Sequence, residues 1–382
     1  MKFRISREAF TNELGKLQGV VSQRSTLAIL SNTLLEVEGD RLKLDATDLD
    51  ISVSTSCACE VEQSGKVTLQ AKGLYDIVNN LEDEFVTIQV EDNYWARLDA
   101  GSVSCRIVGT HPDDFPQILD TSDIKMYPIA TDVLLDMIDK TLFSVSTDDA
   151  RPNITGAFFQ FTENNSLLMV STDGHRLSKI ETKPENFDAS SVPEALKKGI
   201  IVPRKGLVEL KRNVSSKDQE LSFGVKQNNI IFKQGPMSLS IRLIDGGFPD
   251  LEKVMPKDSE SKAFIAKDAF VSALKFVSLF SSPKTNNVRL TLGVLDEDGE
   301  TIRPELELYA TDPDRGEGRK IVPVQYSGPT VKAGYNYKYI QDVLGVLDGD
   351  EVSLEIIDTL SPTLIRDVAM EEAIYIVMPM RV

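Results

Sequence analysis

Three carboxylates crowd into the run DATDLDIS, at Asp45, Asp48 and Asp50. Clustered carboxylates can hold two metal ions for phosphoryl chemistry. A nuclease or polymerase is the enzyme such a cluster would serve. The chain has only two histidines, His175 in TDGHRLSK and His111 in HPDDFP. Histidine is the usual general base near neutral pH, but no Ser, Cys or Asp arrangement stands around either. The three cysteines are Cys57, Cys59 and Cys105, an odd number that completes no disulfide framework. Cys57 and Cys59 alternate in a strand-like run, so their thiols share a face. No second Cys or His pair follows at metal spacing, and no metal site or cofactor is expected. Phosphate-binding glycine loops and the G-x-S-x-G nucleophile turn are also absent from the sequence.

Internal repeats change the reading of the acidic cluster. Residues 27–57, 154–182 and 286–324 each read as a strand, a turn and a strand, and each carries a Thr-Asp pair: Thr47-Asp48, Thr172-Asp173 and Thr311-Asp312. An Asp recurring at one place in a repeat is better explained as a turn residue accepting backbone hydrogen bonds than as a metal ligand. A helical segment precedes each pair, from Arg7, Asp132 and Lys267, with apolar residues at helical spacing such as Phe10, Leu14 and Leu17. A second unit of strand, helix and strands follows each, from Gly65, Gly199 and Pro329. The first two end in related tails, HPDDFPQI and DGGFPDLE.

The fold expected is α+β. Three similar domains, 1–124, 125–255 and 256–382, each hold two repeats of a helix plus antiparallel strands. Strands from such units need shared sheets to satisfy their edges. Pseudo-symmetric domains can close into a ring by pairing head to tail with a second copy. The charge is uneven. The net charge of -17 argues against a protein coated in positive charge. Yet the six helical windows (7–20, 72–81, 132–144, 204–213, 267–280, 337–347) hold 11 Lys or Arg against 9 Asp or Glu, and the rest of the chain 31 against 50. Helices facing a central hole would give it a mildly positive lining inside an acidic shell. No apolar run reaches membrane-spanning length, the opening MKFRISREAF has no signal-peptide core, and reduced thiols fit the cytoplasm.

TDGHRL (172–177), the FPD of Phe248 to Asp250 and YIVMPMRV (375–382), with ATDLDISV and VPRKGLVEL, together resemble the bacterial DNA polymerase III beta subunit, the beta sliding clamp family. The resemblance spans the whole chain. It implies a non-catalytic processivity subunit that closes as a head-to-tail homodimer around duplex DNA, with helices inside and sheets outside. Its implied partners are double-stranded DNA held without regard to sequence, the replicative polymerase, the clamp loader, and other polymerases and repair proteins that carry a clamp-binding peptide; no membrane is involved. The peptide pocket implied by matching positions comprises Ile154, Thr172, Gly174, His175, Arg176, Leu177, Pro249, Val254, Ile376, Val377, Met378, Pro379, Met380 and Arg381, with Tyr339 at the rim. Thioethers suit a groove that accepts varied partners, and Arg151 or Arg176 is placed to meet a polar end of the peptide. The family likeness points to Arg24 and Lys72 as DNA contacts. The helical windows add Lys16, Lys140, Lys205, Lys211, Arg212 and Lys338. Apolar contacts for the dimer are Ile77 and Leu81 on one side and Phe276 and Leu279 on the other. The chain departs from the family in the loop RPNI at Arg151: Pro152 and Asn153 replace an aromatic pair of a well-known member, so a stacking contact is not carried over. Val382 replaces a larger apolar terminus, and Gly73 stands where a basic residue can occur.

Two other readings make different predictions. A nuclease or polymerase using Asp45, Asp48 and Asp50 predicts metal-dependent activity abolished by Asp48→Asn. A monomeric scaffold predicts one protomer in solution and no topological hold on DNA.

Overall fold

The computed structural model describes residues 1–21, 26–183, 192–217, 220–251, 255, 262–296 and 302–380. Six of its helices fall on the six expected windows: α1 (Arg7–Leu17), α2 (Ala71–Asn79), α3 (Thr131–Leu142), α5 (Arg204–Asn213), α6 (Lys267–Val277) and α7 (Tyr337–Leu344). Each directly follows a strand, so the unit that recurs six times is strand, helix, strands. The short α4 (Glu194–Lys198) was not expected; it opens after Pro193, a residue that suits a helix start. In α1, Phe10, Leu14 and Leu17 are buried, as their spacing predicts, and the Ser6 hydroxyl accepts from the Ala9 N–H at 3.5 Å. Asn336 caps α7 in the same way, accepting from the Lys338 N–H at 3.1 Å.

The described strands form four sheets, and every pairing is antiparallel. A five-stranded sheet has the order Glu60–Gln63, Lys2–Ser6, Phe85–Val90, Ala96–Ala100, Val103–Ile107. A nine-stranded sheet runs Gly109–Thr110, Gly65–Gln70, Asn32–Glu38, Arg41–Thr47, Ile51–Ala58, Met237–Arg242, Asn229–Gln234, Leu221–Lys226, Tyr127–Ile129. An eight-stranded sheet runs Ile200–Pro203, Gly156–Phe161, Leu167–Thr172, Arg176–Thr182, Met370–Val377, Thr363–Asp367, Glu351–Glu355, Ala263–Ala266. A four-stranded sheet runs Gly316–Pro323, Ile302–Asp312, Asn287–Leu295, Val331–Asn336.

The two large sheets are shared between expected domains. Ile51–Ala58 of the first pairs with Met237–Arg242 of the second. Arg176–Thr182 of the second pairs with Met370–Val377 of the third. The chain accordingly divides into two compact units, Met1–Leu134 with Lys205–Leu243, and Leu135–Arg204 with Ile244–Val382. The middle stretch contributes to both because each of its half-repeats satisfies an edge on a different neighbour.

The Thr-Asp pairs are turn devices. The Thr47 hydroxyl donates to the Ile51 carbonyl at 3.0 Å and accepts from the Leu49 N–H at 3.0 Å. Asp48 Oδ1 accepts from the N–H groups of Asp50 (3.1 Å) and Ile51 (2.7 Å). The second repeat copies this: the Thr172 hydroxyl bonds the Arg176 carbonyl and the Gly174 N–H, and Asp173 Oδ1 accepts from His175 and Arg176. The third is tighter by one residue, and Asp312 itself takes the position of the threonine, accepting from the Asp314 N–H at 3.0 Å. In the first two repeats the residue two after the threonine has positive φ, 82° at Leu49 and 87° at Gly174. Glycine adopts that conformation freely and leucine does not.

Candidate functional site

The eight-stranded sheet builds one concave apolar site from two distant stretches. Leu177 stands directly opposite Ile376 in the pairing of Arg176–Thr182 with Met370–Val377. Side chains alternate faces along a strand, so these two point the same way. With Ile154, Phe248, Pro249, Leu251 and Met378 they line a cavity of about 220 Å³, edged by Arg151, Asn153, Thr172, Gly174 and Arg176. Behind the floor Leu168, Val170 and Leu364 pack against Leu177 and Ile376. Phe248 is held by stacking on Phe158, ring centres 5.3 Å apart. Asn153 Nδ2 donates to the Gly247 carbonyl at 3.1 Å and pins the loop that carries Phe248. Asn153, a departure from the family pattern, is thus a structural tie here.

Arg176 is a wall of this site. Its Nε lies 3.0 Å from Asp173 Oδ2, its Nη1 2.5 Å from Asp342 Oδ2, and its Nη2 donates to the Phe143 carbonyl at 2.5 Å. The guanidinium lies 4.6 Å over the Tyr339 ring centre and 5.3 Å over that of Phe143. Tyr339 therefore borders Arg176 and is not among the residues lining the cavity. Arg151 is the more open cation: half-exposed, it donates to the Asp173 carbonyl at 3.0 Å and lies 3.3 Å from Asp148 Oδ2. Of the two arginines expected to meet a polar ligand group, the geometry favours Arg151.

Of the expected pocket residues, Ile154, Thr172, Gly174, Arg176, Leu177, Pro249, Ile376 and Met378 line the cavity. Val377 does not. It is 0% exposed and belongs to the core of the C-terminal region with Tyr335, Val352 and Tyr375. Its neighbour Ile376 faces the pocket, and alternation turns Val377 to the other side of the sheet. The His175 side chain is exposed and outside the lining; its backbone does the work, its carbonyl accepting from the Met378 N–H at 2.8 Å. Pro379 and Met380 are half-buried beyond the lining, with the Met380 N–H bonded to the Gly334 carbonyl. Val254 and Arg381 lie outside the described residues. Phe248 and Leu251 were not foreseen as lining residues, although the FPD run and its echo in HPDDFPQI marked the segment.

The expected DNA-facing cations divide. Lys72, Lys205, Lys211, Arg212 and Lys338 are exposed, and Lys16 is half-buried. Lys140 is a correction. Only 4% of its side chain is exposed, and its Nζ lies 2.7 Å from both Asp136 and Asp348. Burial alone would lower its pKa, but the hydrogen bonds to the two carboxylates outweigh that and raise it. Lys140 is an internal tie from α3 to the turn after α7, with no free charge to offer a phosphate. Arg24 lies outside the described residues. Among the apolar contacts, Phe276 and Leu279 are 44% and 63% exposed, whereas Leu81 at 8% is packed within its own unit, and Ile77 is half-buried. Burial of Leu81 removes it as a free contact for a second chain.

The acidic run holds no common centre. Asp45 is buried beside Lys43 (2.9 Å), Asp48 is committed to its turn, and Asp50 is exposed, 4.0 Å from Arg242. Among the described residues no group of three or more His, Cys, Asp or Glu side chains is arranged to hold a metal ion. Nor is any described helix long and apolar enough to cross a membrane.

Residues 1–119, 128–250 and 252–381 match, in order, the N-terminal, central and C-terminal domains of the DNA polymerase III beta subunit. The chain is 32% identical over 387 residues to the beta sliding clamp of Caulobacter vibrioides, and 31% identical over 385 residues to that of Escherichia coli K12, covering 100% of both chains each time. The sliding clamp structure from Pseudomonas aeruginosa superposes with a TM-score of 0.90 at 30% identity, covering 100% of each chain. A clamp from Bartonella birtlesii bound to griselimycin gives 0.91 at 30% identity, again over 100% of each. With all three domains matched, in sequence and in fold, this chain belongs to the DNA polymerase III beta subunit family, the beta sliding clamps, which are non-catalytic processivity factors of DNA replication.

Proposed function

We propose that two copies of this chain close head to tail into a ring around duplex DNA in the cytoplasm, tether the replicative polymerase to it, and recruit the clamp loader and other polymerases and repair proteins through the pocket at Leu177 and Ile376. The pocket is the observation that carries the reading. An apolar cavity of about 220 Å³, floored by branched side chains and flanked by the half-exposed thioether of Met378, suits a short, partly hydrophobic peptide. Arg151 at its edge suits a polar or acidic group on that peptide.

Two features support closure by a second copy. Val103–Ile107 ends the five-stranded sheet and Gly316–Pro323 ends the four-stranded one, each with an edge that no described strand pairs. Natural sheets rarely leave such edges open without a partner or a guard. Phe276 and Leu279 lie in and just beyond α6, which packs against Gly316–Pro323, and are exposed there. A proposed contact between these two edges needs about 800 Å² on each side to be stable.

The test is retention on circular against linear DNA at high salt, after loading with a clamp loader and ATP. Retention on circles with escape from linear ends supports a closed ring. Equal loss from both would make the protein an ordinary electrostatic binder or a monomeric scaffold.

A further inference from the structure

The repeated Thr-Asp turn has a use beyond shaping the chain. In the second repeat, the outer oxygen of Asp173 holds Arg176 at the pocket. In the first, the outer oxygen of Asp48 holds Lys205 of α5. Lys205 belongs to a continuous charged face of α1 and α5. Arg212 of α5 donates to the Gly15 carbonyl of α1 at 3.3 Å, and the Glu209 carboxylate lies against Gly19, where a side chain would collide with it. Three cations here are already paired: Lys16 with Glu13 (2.9 Å), Lys205 with Asp48, Arg212 with Glu209 (4.0 Å).

The pairs are lopsided. The acid side chains are 12%, 12% and 7% exposed, and the cations 28%, 52% and 45%. The acids belong to the framework, and the cations face solvent. Glu13 accepts from the Thr55 hydroxyl, and Asp48 is fixed by two backbone N–H groups. Burial pushes the Glu209 carboxyl above its ordinary pKa, with Arg212 and Lys205 pulling it back.

We propose that Glu13, Asp48 and Glu209 are tuning residues, which hold Lys16, Lys205 and Arg212 of the α1–α5 face in internal ion pairs and thereby keep the grip on the DNA backbone weak. The inference rests on the reading that this face looks onto duplex DNA. A phosphate must take each cation from a carboxylate that water cannot easily solvate in exchange. Little affinity is then gained per contact, and few counterions leave the DNA. A tether that must travel along DNA benefits from that. Removing one carboxylate charge while keeping its shape frees one cation.

The test is the salt dependence of binding to a linear duplex, measured by fluorescence anisotropy on the full chain. Asp48→Asn is the principal variant, because the Asn Oδ1 still accepts both backbone N–H groups and the turn survives. Its log–log salt slope is expected to steepen by about 0.9, one freed phosphate contact, with roughly two- to five-fold tighter binding at low salt. Glu13→Gln and Glu209→Gln add similar increments. Adding Lys205→Gln to Asp48→Asn restores the original slope. Glu163→Gln, an equal change of net charge at an exposed position elsewhere, leaves the slope unchanged. An unaltered slope in Asp48→Asn with an unshifted thermal unfolding curve overturns the inference, as does an equal gain in Glu163→Gln. Loading the unsubstituted protein on circles separates the two levels. Its loss from circles defeats the clamp reading itself, whereas its retention with an unchanged Asp48→Asn slope defeats only the tuning role.

Discussion

The tie at Lys140 should break asymmetrically. Its side chain is 4% exposed, while those of its partners Asp136 and Asp348 are 45% and 69% exposed. Replacing both acids in an Asp136→Asn/Asp348→Asn variant leaves a buried ammonium with no counter-charge, which costs about 3–5 kcal/mol. The penalty has a ceiling, because the lysine can shed its proton. At pH 7 that release costs about 4.6 kcal/mol, from 1.36 kcal/mol per pH unit below a reference value near 10.4. Lys140→Met removes the buried charge instead. The two acids are left where water reaches them, and an apolar chain lies beside Met370, whose Sδ is 3.3 Å from Lys140 Nζ. That change should cost about 1 kcal/mol or less. For a unit of 150–250 residues each kcal/mol moves Tm by about 2–4 °C. The double acid variant should therefore fall by roughly 6–20 °C and Lys140→Met by no more than about 4 °C. The pH dependence has a definite sign. In the unsubstituted protein Lys140 has a raised pKa, so its contribution is full below the unfolded value and is lost only as pH climbs through the folded one. In the double variant the folded pKa is depressed, and the deficit shrinks to about 1 kcal/mol by pH 9.5. Differential scanning calorimetry at pH 7 and 9.5 reads all of this. An equal fall in Tm for the two variants would refute the reasoning.

Leu49 holds φ 82° and is 54% exposed, so Leu49→Gly relieves backbone strain without losing a core contact. A net gain of about 0.5–1 kcal/mol is expected after the entropic disadvantage of glycine; a lower Tm would contradict it. Phe248→Ala removes the stack on Phe158 and one wall of the pocket. A fluorescent peptide from the polymerase should then bind roughly 5- to 10-fold more weakly, from a loss of about 1–1.5 kcal/mol. Leu279→Asp puts a charge at a 63% exposed apolar position beside the free sheet edge. Light scattering should show a shift from dimer to monomer at micromolar concentration, and an unchanged mass would remove Leu279 from the interface. Burial pushes the Cys57 thiol up to about 12 and Cys59 to about 11. Both stay protonated at pH 8, and alkylation should be much slower than for a free thiol at the reference value near 8.5.

The repeat was legible because period and turn chemistry are local. Phe10, Leu14 and Leu17 marked α1, and Thr47-Asp48 and Thr172-Asp173 marked two turns whose hydrogen bonds agree closely. The third, at Asp312, slipped by one residue because a tighter turn can use the Asp in place of the Thr. What sequence could not supply was partnership across long separations. Lys140 sits on a helix whose spacing suited a solvent-facing cation, yet Asp348, which captures it, is over 200 residues away. Leu81 carried no sign that it would be covered by its own unit. Val377 and Ile376 are adjacent and equally apolar; only the register against Arg176–Thr182 decides which faces the pocket. The pairing edges Val103–Ile107 and Gly316–Pro323 were invisible as edges until the strand order was known.

The register of Leu177 against Ile376 also orders events in time. The two residues are about 200 positions apart, so at a synthesis rate of roughly 5–20 residues per second the second strand follows the first by some tens of seconds or less. During that interval the strand Arg176–Thr182 has a vacant edge, and the floor of the cavity lacks one side. The first compact unit can acquire its own sheets much earlier, because its most distant pairing, Ile51 with Ile241, closes once that stretch is made. A nascent chain thus spends a period with its first unit's strands made and the cavity at Leu177 incomplete. The cavity is completed by the same strand addition that completes the sheet, so under the proposed recruiting role an immature chain would be kept from capturing a partner by the order of its own assembly.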